Sequence, residues 1–344
     1  MKTKTDSGNF FEDFKLGHVF QCPIPRTLNQ GDISNYISMT GDRTPRFCDA
    51  RMEIHPLLLF HLVLGQTVRQ ISLNAKANLG YAGLLWQRPA VAGDTISTTA
   101  EVIGLKENSN QKTGIVYVKT RAQNQQGKEV LQYNRWVMVN KRDEKIKTEY
   151  LEKPVIPELP SKIEPEMLWP VKEGIPTKGI TGGDFIFEDY KVGERIDHVD
   201  GLTVNTTEHM SFTRLFQNGA KIHFDNLLTD GKPLVYGGYP MSLGYALGFN
   251  GLQNRTGICA INAGAHANPV YAGDTLYAFS EVLEKKNFGA DARTGAVRLR
   301  LIVTKNMRVE KVDSFQIYPE AGKKVLHPNI VLDLDYWDQI ATGA

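Results

Sequence analysis

The strongest constraint on the fold is that the chain runs through one pattern twice. Phe11-Glu12-Asp13-Phe14-Lys15-Leu16-Gly17 returns as Phe187-Glu188-Asp189-Tyr190-Lys191-Val192-Gly193, and Thr27-Leu28-Asn29 returns as Thr203-Val204-Asn205, both 176 residues later. Pro89-Ala90-Val91-Ala92-Gly93-Asp94-Thr95-Ile96 returns as Pro269-Val270-Tyr271-Ala272-Gly273-Asp274-Thr275-Leu276, now 180 residues on, and Thr113-Gly114 returns as Thr294-Gly295 at 181. The few extra residues fall between matched segments, where loops absorb them at small entropic cost. A repeat that holds register over most of each half calls for two copies of one supersecondary unit.

Between the copies stand Pro154, Pro157, Pro160, Pro165, Pro170 and Pro176, a density that blocks helix interiors and central strands. The expected organisation is a first unit over residues 1–145, a surface linker over 146–183 that packs against one of the halves, and a second unit over 184–344. Each unit reads alike: a short helix beginning near Thr27 or Thr203, where Asn29 or Asp32 and Asn205, Thr207 or Glu208 offer capping side chains, a polar loop, one long apolar helix (56–71 or 240–252), then strands rich in β-branched and aromatic residues (95–103, 114–122 and 129–139; 275–283 and 296–303). A helix apolar on every side must be buried, and a sheet with one apolar face must cover something. The pattern predicts an α+β class and a tandem (double) hot-dog fold, with two antiparallel sheets each wrapped around a long central helix.

With 40 Lys+Arg against 38 Asp+Glu, the chain lacks the basic excess of a nucleic-acid groove. Its most apolar stretch, 57–64, is interrupted by His61, so neither export nor membrane insertion is expected. Cys22, Cys48 and Cys259 show no metal spacing and are odd in number, which favours a reducing cytoplasm over a disulfide framework. No phosphate-binding loop or dinucleotide fingerprint stands out. The sequence leaves the oligomeric state open, a homo-oligomer included.

Two segments carry the chemistry. The first copy has Thr40-Gly41-Asp42-Arg43-Thr44-Pro45-Arg46-Phe47-Cys48-Asp49, and the second has Phe216-Gln217-Asn218-Gly219-Ala220-Lys221-Ile222-His223-Phe224-Asp225. With the two Gly-Asp-Thr turns, they resemble the MaoC-like dehydratase fingerprint, in which an aspartate and a histidine lie five residues apart ahead of a His-Gly pair. The copies depart from it in complementary ways: the first keeps Asp42 but has Phe47 at the histidine position, and the second keeps His223 but has Asn218 at the aspartate position. The run from Ile71 to Gly83, the segment Arg135-Trp136-Val137-Met138-Val139, and Gln217-Asn218 with Ile222-His223-Phe224 are similar to the mesaconyl-CoA (2-methylfumaryl-CoA) hydratase branch. The resemblance implies reversible hydration of an α,β-unsaturated acyl-CoA thioester, with coenzyme A as the substrate's handle and no separate cofactor.

That chemistry needs donors at the thioester oxygen, where charge accumulates as the β-carbon is attacked, and a group that takes a proton from water and returns one to the α-carbon. Tyr236-Gly237-Gly238 precedes the second apolar helix at the family's His-Gly position, so the amides of Gly237 and Gly238 are the expected donors at a positive helix end; the plain alternative is a flexible helix start. His223 is the expected acid/base, with Asn218 holding the water, because an amide cannot act as a base; a carboxylate such as Asp42 or Asp225 is the second possibility for assistance. Arg214 and Lys221 are candidate anchors for a substrate carboxylate, solvated surface charge being their bland reading, and His266 is a candidate contact to the thioester or acyl group. His55 and His61 read as structural. One working site per chain is expected, carried by the second copy, with Leu84, Leu85 and Trp86 lining the acyl pocket. The rivals are an R-specific fatty enoyl-CoA hydratase, a hot-dog thioesterase and a non-catalytic acyl-CoA-binding protein.

Overall fold

The computed structural model describes residues 4–311, 317–320 and 323–343. The two apolar runs form the central helices. In the first copy, α1 (Gln30–Thr40) is followed by α2 (Pro56–Thr67), whose residues Leu57 to Thr67 are all buried. In the second, α3 (Thr206–Leu215) is followed by α4 (Gly238–Leu247), buried from Gly238 to Ala246. The helix starts follow the sequence signals. Asn29 accepts from the Asp32 amide at 3.2 Å while Asp32 caps the Asn29 amide at 2.9 Å, and Asn205 accepts from the Glu208 amide at 2.9 Å.

Around these helices run β1 (Val19–Gln21), β2 (Ala75–Trp86), β3 (Thr95–Glu107), β4 (Thr113–Gln123) and β5 (Glu129–Asn140) from the first copy. The second supplies β6 (Arg195–Thr203), β7 (Arg255–His266), β8 (Thr275–Asn287), β9 (Thr294–Lys305) and β10 (Ile330–Ala341). The order across the sheet is β1-β3-β4-β5-β2-β7-β10-β9-β8-β6, a palindrome in which each copy repeats the other's pairing, and Arg26–Thr27 adds a short strand to β3. The two expected sheets are therefore joined edge to edge into one antiparallel sheet through β2 and β7, with Tyr81 opposite Gly264 and Leu85 opposite Ala260. Pairing these edges satisfies backbone groups that two separate sheets would leave open.

The duplication is reproduced down to single bonds. The Gly17 amide donates to Val102 at 2.8 Å and the Gly193 amide to Val282 at 2.8 Å, while Thr27 meets Thr95 and Thr203 meets Thr275, hydroxyl to hydroxyl, each at 2.8 Å. In the Gly-Asp-Thr turns, Asp94 accepts from the Val91 amide and Asp274 from the Tyr271 amide, which makes these turns architectural.

Residues 146–183 contain only short helical turns and cross the outer face of the sheet over both copies. Val155 bridges to Leu105 of β3; farther on, the Ile163 amide donates to Asn262 of β7 at 2.7 Å and the Val171 amide to Gln339 of β10 at 2.8 Å. Ile163 and Leu168 pack with Leu85, Cys259, Ala260 and Trp337 in a small outer core. On β10 Tyr336 turns inward to Tyr245 of α4, so its neighbour Trp337 turns outward to this segment, as strand alternation requires.

Candidate active site

The site is built at the start of α4. Gly237 stands at the N-cap with a helical backbone and Gly238 opens the helix, so their N–H groups precede the first intrahelical partner; among the described residues neither has an acceptor. Both glycines are dictated by crowding: a Cβ on Gly237 would fall 2.7 Å from the His266 ring, and one on Gly238 would fall 2.5 Å from the Tyr236 ring.

In front of this helix mouth lies a cavity of about 370 Å³. His223, Asn218 and Gly237 line it together, with Tyr236, Leu234 and His266 from the same copy. The His223 Nδ1 lies 2.7 Å from the Leu234 carbonyl. A carbonyl can only accept, so Nδ1 carries the proton in the neutral ring and Nε2 keeps its lone pair. Burial pushes the His223 pKa down to about 4, with the Leu234 bond opposing, so the ring is neutral at pH 7. Asn218 is buried, and its carbonyl oxygen is held by the Ala220 amide at 3.1 Å. Its NH₂ is thereby the group left to offer.

His266 stands over Gly237 with its Nε2 3.0 Å from the Tyr81 hydroxyl, and burial lowers its pKa to about 4. His61 is not in the cavity wall. It bonds the Tyr236 hydroxyl at 3.2 Å and Ser242 at 2.8 Å from inside α2, which fixes the ring beside the two glycines.

Several expected residues lie elsewhere. Arg214 and Lys221 are exposed and outside the cavity wall: Arg214 sits on the solvent side of α3, bonded to Ser211, and Lys221 opens the 3-10 turn that ends with His223 pointing the other way. Asp225 is exposed and caps the amides of Leu227 and Leu228. Asp42 is buried in the first copy, accepting from Arg255 at 3.2 Å and from the Thr44 amide at 2.7 Å, with His55 at 3.5 Å. Burial raises its pKa, but Arg255, His55 and the Thr44 amide together outweigh this and hold the carboxyl well below the usual range. Among the described residues the cavity wall contains no carboxylate.

The first copy's equivalent position is filled. Phe47 stands where His223 stands and Trp86 where His266 stands; with Trp169 of the connecting segment they leave only about 30 Å³. The Trp86 indole N–H donates to the Pro56 carbonyl at 3.0 Å, and that of Trp169 to the Trp86 carbonyl at 3.2 Å. Trp86 therefore plugs this second position instead of lining the acyl pocket, and Leu84 and Leu85 lie outside the cavity wall.

The first copy does contribute to the working cavity, through residues whose roles the sequence reading missed: Lys76, Asn78 and Tyr81 of β2, and Arg135 of β5. Arg135 had a legible signal. It sits on the inward phase of an alternating strand, Tyr133-x-Arg135-x-Val137-x-Val139, where all four side chains are buried.

A protein from Cereibacter sphaeroides named mesaconyl-CoA hydratase is 45% identical over 97% of this chain and 98% of its own length. The chain belongs to the mesaconyl-CoA hydratase family. A sequence model of mesaconyl-CoA hydratase matches residues 1–153, and a β-methylmalyl-CoA dehydratase from Chloroflexus aurantiacus is 43% identical over 98% of each chain. As a member of this family the chain is a hydro-lyase. Among solved structures, one from Chloroflexus aurantiacus described as a MaoC domain dehydratase matches at a TM-score of 0.92 and 41% identity over 100% of both chains. A Mycobacterium tuberculosis protein with a double hot-dog fold matches at 0.74 and 25% identity, over 97% of this chain and 99% of its own. The double hot-dog fold expected from the repeat and the MaoC-like kinship expected from the two fingerprint segments both hold. Among the described residues no helix is long and apolar enough to cross a membrane.

Proposed function

We propose that this chain reversibly adds water to 2-methylfumaryl-CoA (mesaconyl-CoA), giving β-methylmalyl-CoA, at one site carried by the second copy. The observation that carries the reading is a single cavity in which an imidazole with its lone pair on Nε2 and Gly237, whose amide is unbonded at the mouth of α4, come together, with Gly238 directly behind it. The thioester oxygen is bound by the Gly237 and Gly238 amides, and Asn218 donates to the water oxygen. Nε2 of His223 takes one water proton as the oxygen bonds to the β-carbon; the C=C electrons shift toward the thioester oxygen, where the amides stabilise the enolate. The imidazolium then gives its Nε2 proton to the α-carbon, the carbonyl re-forms, and histidine returns to neutral. One water is consumed and no group leaves, so no separate cofactor is required. The lack of a carboxylate in the described cavity wall favours His223 acting as both base and acid.

Free Cys22, Cys48 and Cys259 fit a reducing cytoplasm as the place of action. The test is a panel of acyl-CoA thioesters followed by absorbance of the conjugated double bond. Turnover of mesaconyl-CoA that H223A abolishes supports the reading. Turnover of long-chain enoyl-CoA alone, release of free coenzyme A thiol, or binding without turnover each overturns it.

A further inference from the structure

Arg135 is 1% exposed and lines the cavity, yet among the described residues no carboxylate lies within ion-pair distance of it. Its Nη2 donates to Thr67 at 2.7 Å and reaches Ser72 at 3.5 Å; Nε is buried with no acceptor. A buried guanidinium with only hydroxyls around it is an uncompensated charge, which proteins avoid unless a partner arrives from outside. Elsewhere the same fold follows that rule: Arg255, equally buried, is paired with Asp42. Beside Arg135 in the wall, both amide atoms of Asn78 are also buried and unpartnered. The π-helical turn Val68–Ser72 that ends α2 brings Val68 and Ser72 to this place, a local break of the kind found at functional sites.

We propose that Arg135 binds the free carboxylate on the β-carbon of the substrate, and so makes the site selective for enoyl-CoA thioesters of dicarboxylic acids. The inference rests on the hydratase reading above and adds to it the first copy's part in specificity. A guanidinium binds a carboxylate through charge-assisted N–H bonds, and Arg135 keeps its buried Nε without a protein acceptor. The charge also acts on the chemistry. A carboxylate on the attacked carbon repels the incoming water oxygen as negative charge builds there, and a cation on that carboxylate offsets the repulsion. Arg135 is too deeply buried to serve the coenzyme A phosphates, whereas Lys76 on the neighbouring strand is exposed.

The test compares mesaconyl-CoA with tiglyl-CoA, which carries a methyl in place of that carboxylate, on wild type, R135Q and R135K. The wild type is expected to prefer mesaconyl-CoA by 100-fold or more in kcat/KM. R135Q is expected to lose 100-fold or more on mesaconyl-CoA while staying within threefold on tiglyl-CoA, and R135K to raise KM for mesaconyl-CoA at least tenfold with tiglyl-CoA unchanged. Should R135Q fail to fold, R135K decides by the same comparison. Equal losses on both substrates in a folded variant, or no loss on mesaconyl-CoA, overturn the assignment of Arg135 while leaving the hydratase reading intact. A wild type that hydrates tiglyl-CoA but not mesaconyl-CoA overturns both.

Discussion

Tyr81 and His266, one from each copy of the repeat, meet across the seam of the sheet with hydroxyl and Nε2 3.0 Å apart. Tyr81 lies on β2 and His266 ends β7, so the bond exists only because the two edge strands pair. It orients the ring that covers Gly237. Tyr81→Phe is expected to lower kcat/KM for mesaconyl-CoA about tenfold with little change in melting temperature, since one neutral hydrogen bond contributes only ~1 kcal/mol. Steady-state kinetics beside a thermal melt check this.

Gly237 tolerates no Cβ because the His266 ring occupies that space at 2.7 Å. Gly237→Ala is expected to cut activity by tenfold or more, and Gly237→Ala with His266→Ala to be no worse than His266→Ala alone. Groups in direct contact couple in this way. Losses that simply multiply in the double-mutant cycle would show that the glycine is needed for something other than clearance.

His223→Ala is expected to reduce kcat about 100- to 10,000-fold, the range for loss of a general acid–base, with a much smaller change in KM. If one imidazole both removes and returns the proton, hydroxyl and hydrogen arrive on the same face. Hydration in D₂O, read by NMR of the product, is expected to give syn addition; anti addition would require a second proton carrier on the opposite side.

The histidines also set the pH dependence of stability. Burial lowers His198, His223 and His266 to about 4 each from 6.5, so between pH 6.5 and 4 the unfolded chain binds protons that the folded chain refuses. Asp338, raised to about 6 by burial, opposes this by one proton. From these four groups the net uptake on unfolding is about two protons near pH 5, which lowers stability by about 2 to 3 kcal/mol per unit as the pH drops there, and His55, His61 and His209, also lowered by burial, add to the loss in the same direction. Melting temperature is expected to be flat between about pH 7 and 8 and to fall steadily below 6.5. Histidine NMR is expected to show His223 titrating near pH 4; a midpoint near 6.5 would contradict its burial.

Phe47 closes the first copy's position and is 4% exposed. Phe47→Ala is expected to cost about 3 to 5 kcal/mol of stability, as large-to-small core changes do, with kcat on mesaconyl-CoA unchanged at temperatures where the variant is folded. Phe47→His is expected to gain no second site, because the indoles of Trp86 and Trp169 still fill the space.

Local patterns made much of this molecule legible before any coordinates. The repeat, the helix starts near Asn29 and Asn205, the all-apolar helices and the β-branched strands are properties of short stretches and form where the pattern put them, although the apolar helices end at Thr67 and Leu247 rather than at 71 and 252. His223, Asn218 and Gly237 were legible as one site because a short loop and the next helix bring them together within twenty residues. What tertiary structure alone decided is whatever depends on pairing β2 with β7 and on the phase of each strand. Strands β2 and β7 carry too much Gly, Ala and Asn to announce themselves, whereas β10, with the alternation Leu332-Asp333-Leu334-Asp335-Tyr336, carried a strand signal that went unread. Their joining into one sheet set Tyr81 against His266 and turned Arg135 into the second copy's cavity. Arg214 and Lys221 are near His223 in sequence, but a helix face and a 3-10 turn point them to water. Sequence proximity fixes which backbone segments are neighbours, while the direction of a side chain follows from which face of its element the core has taken.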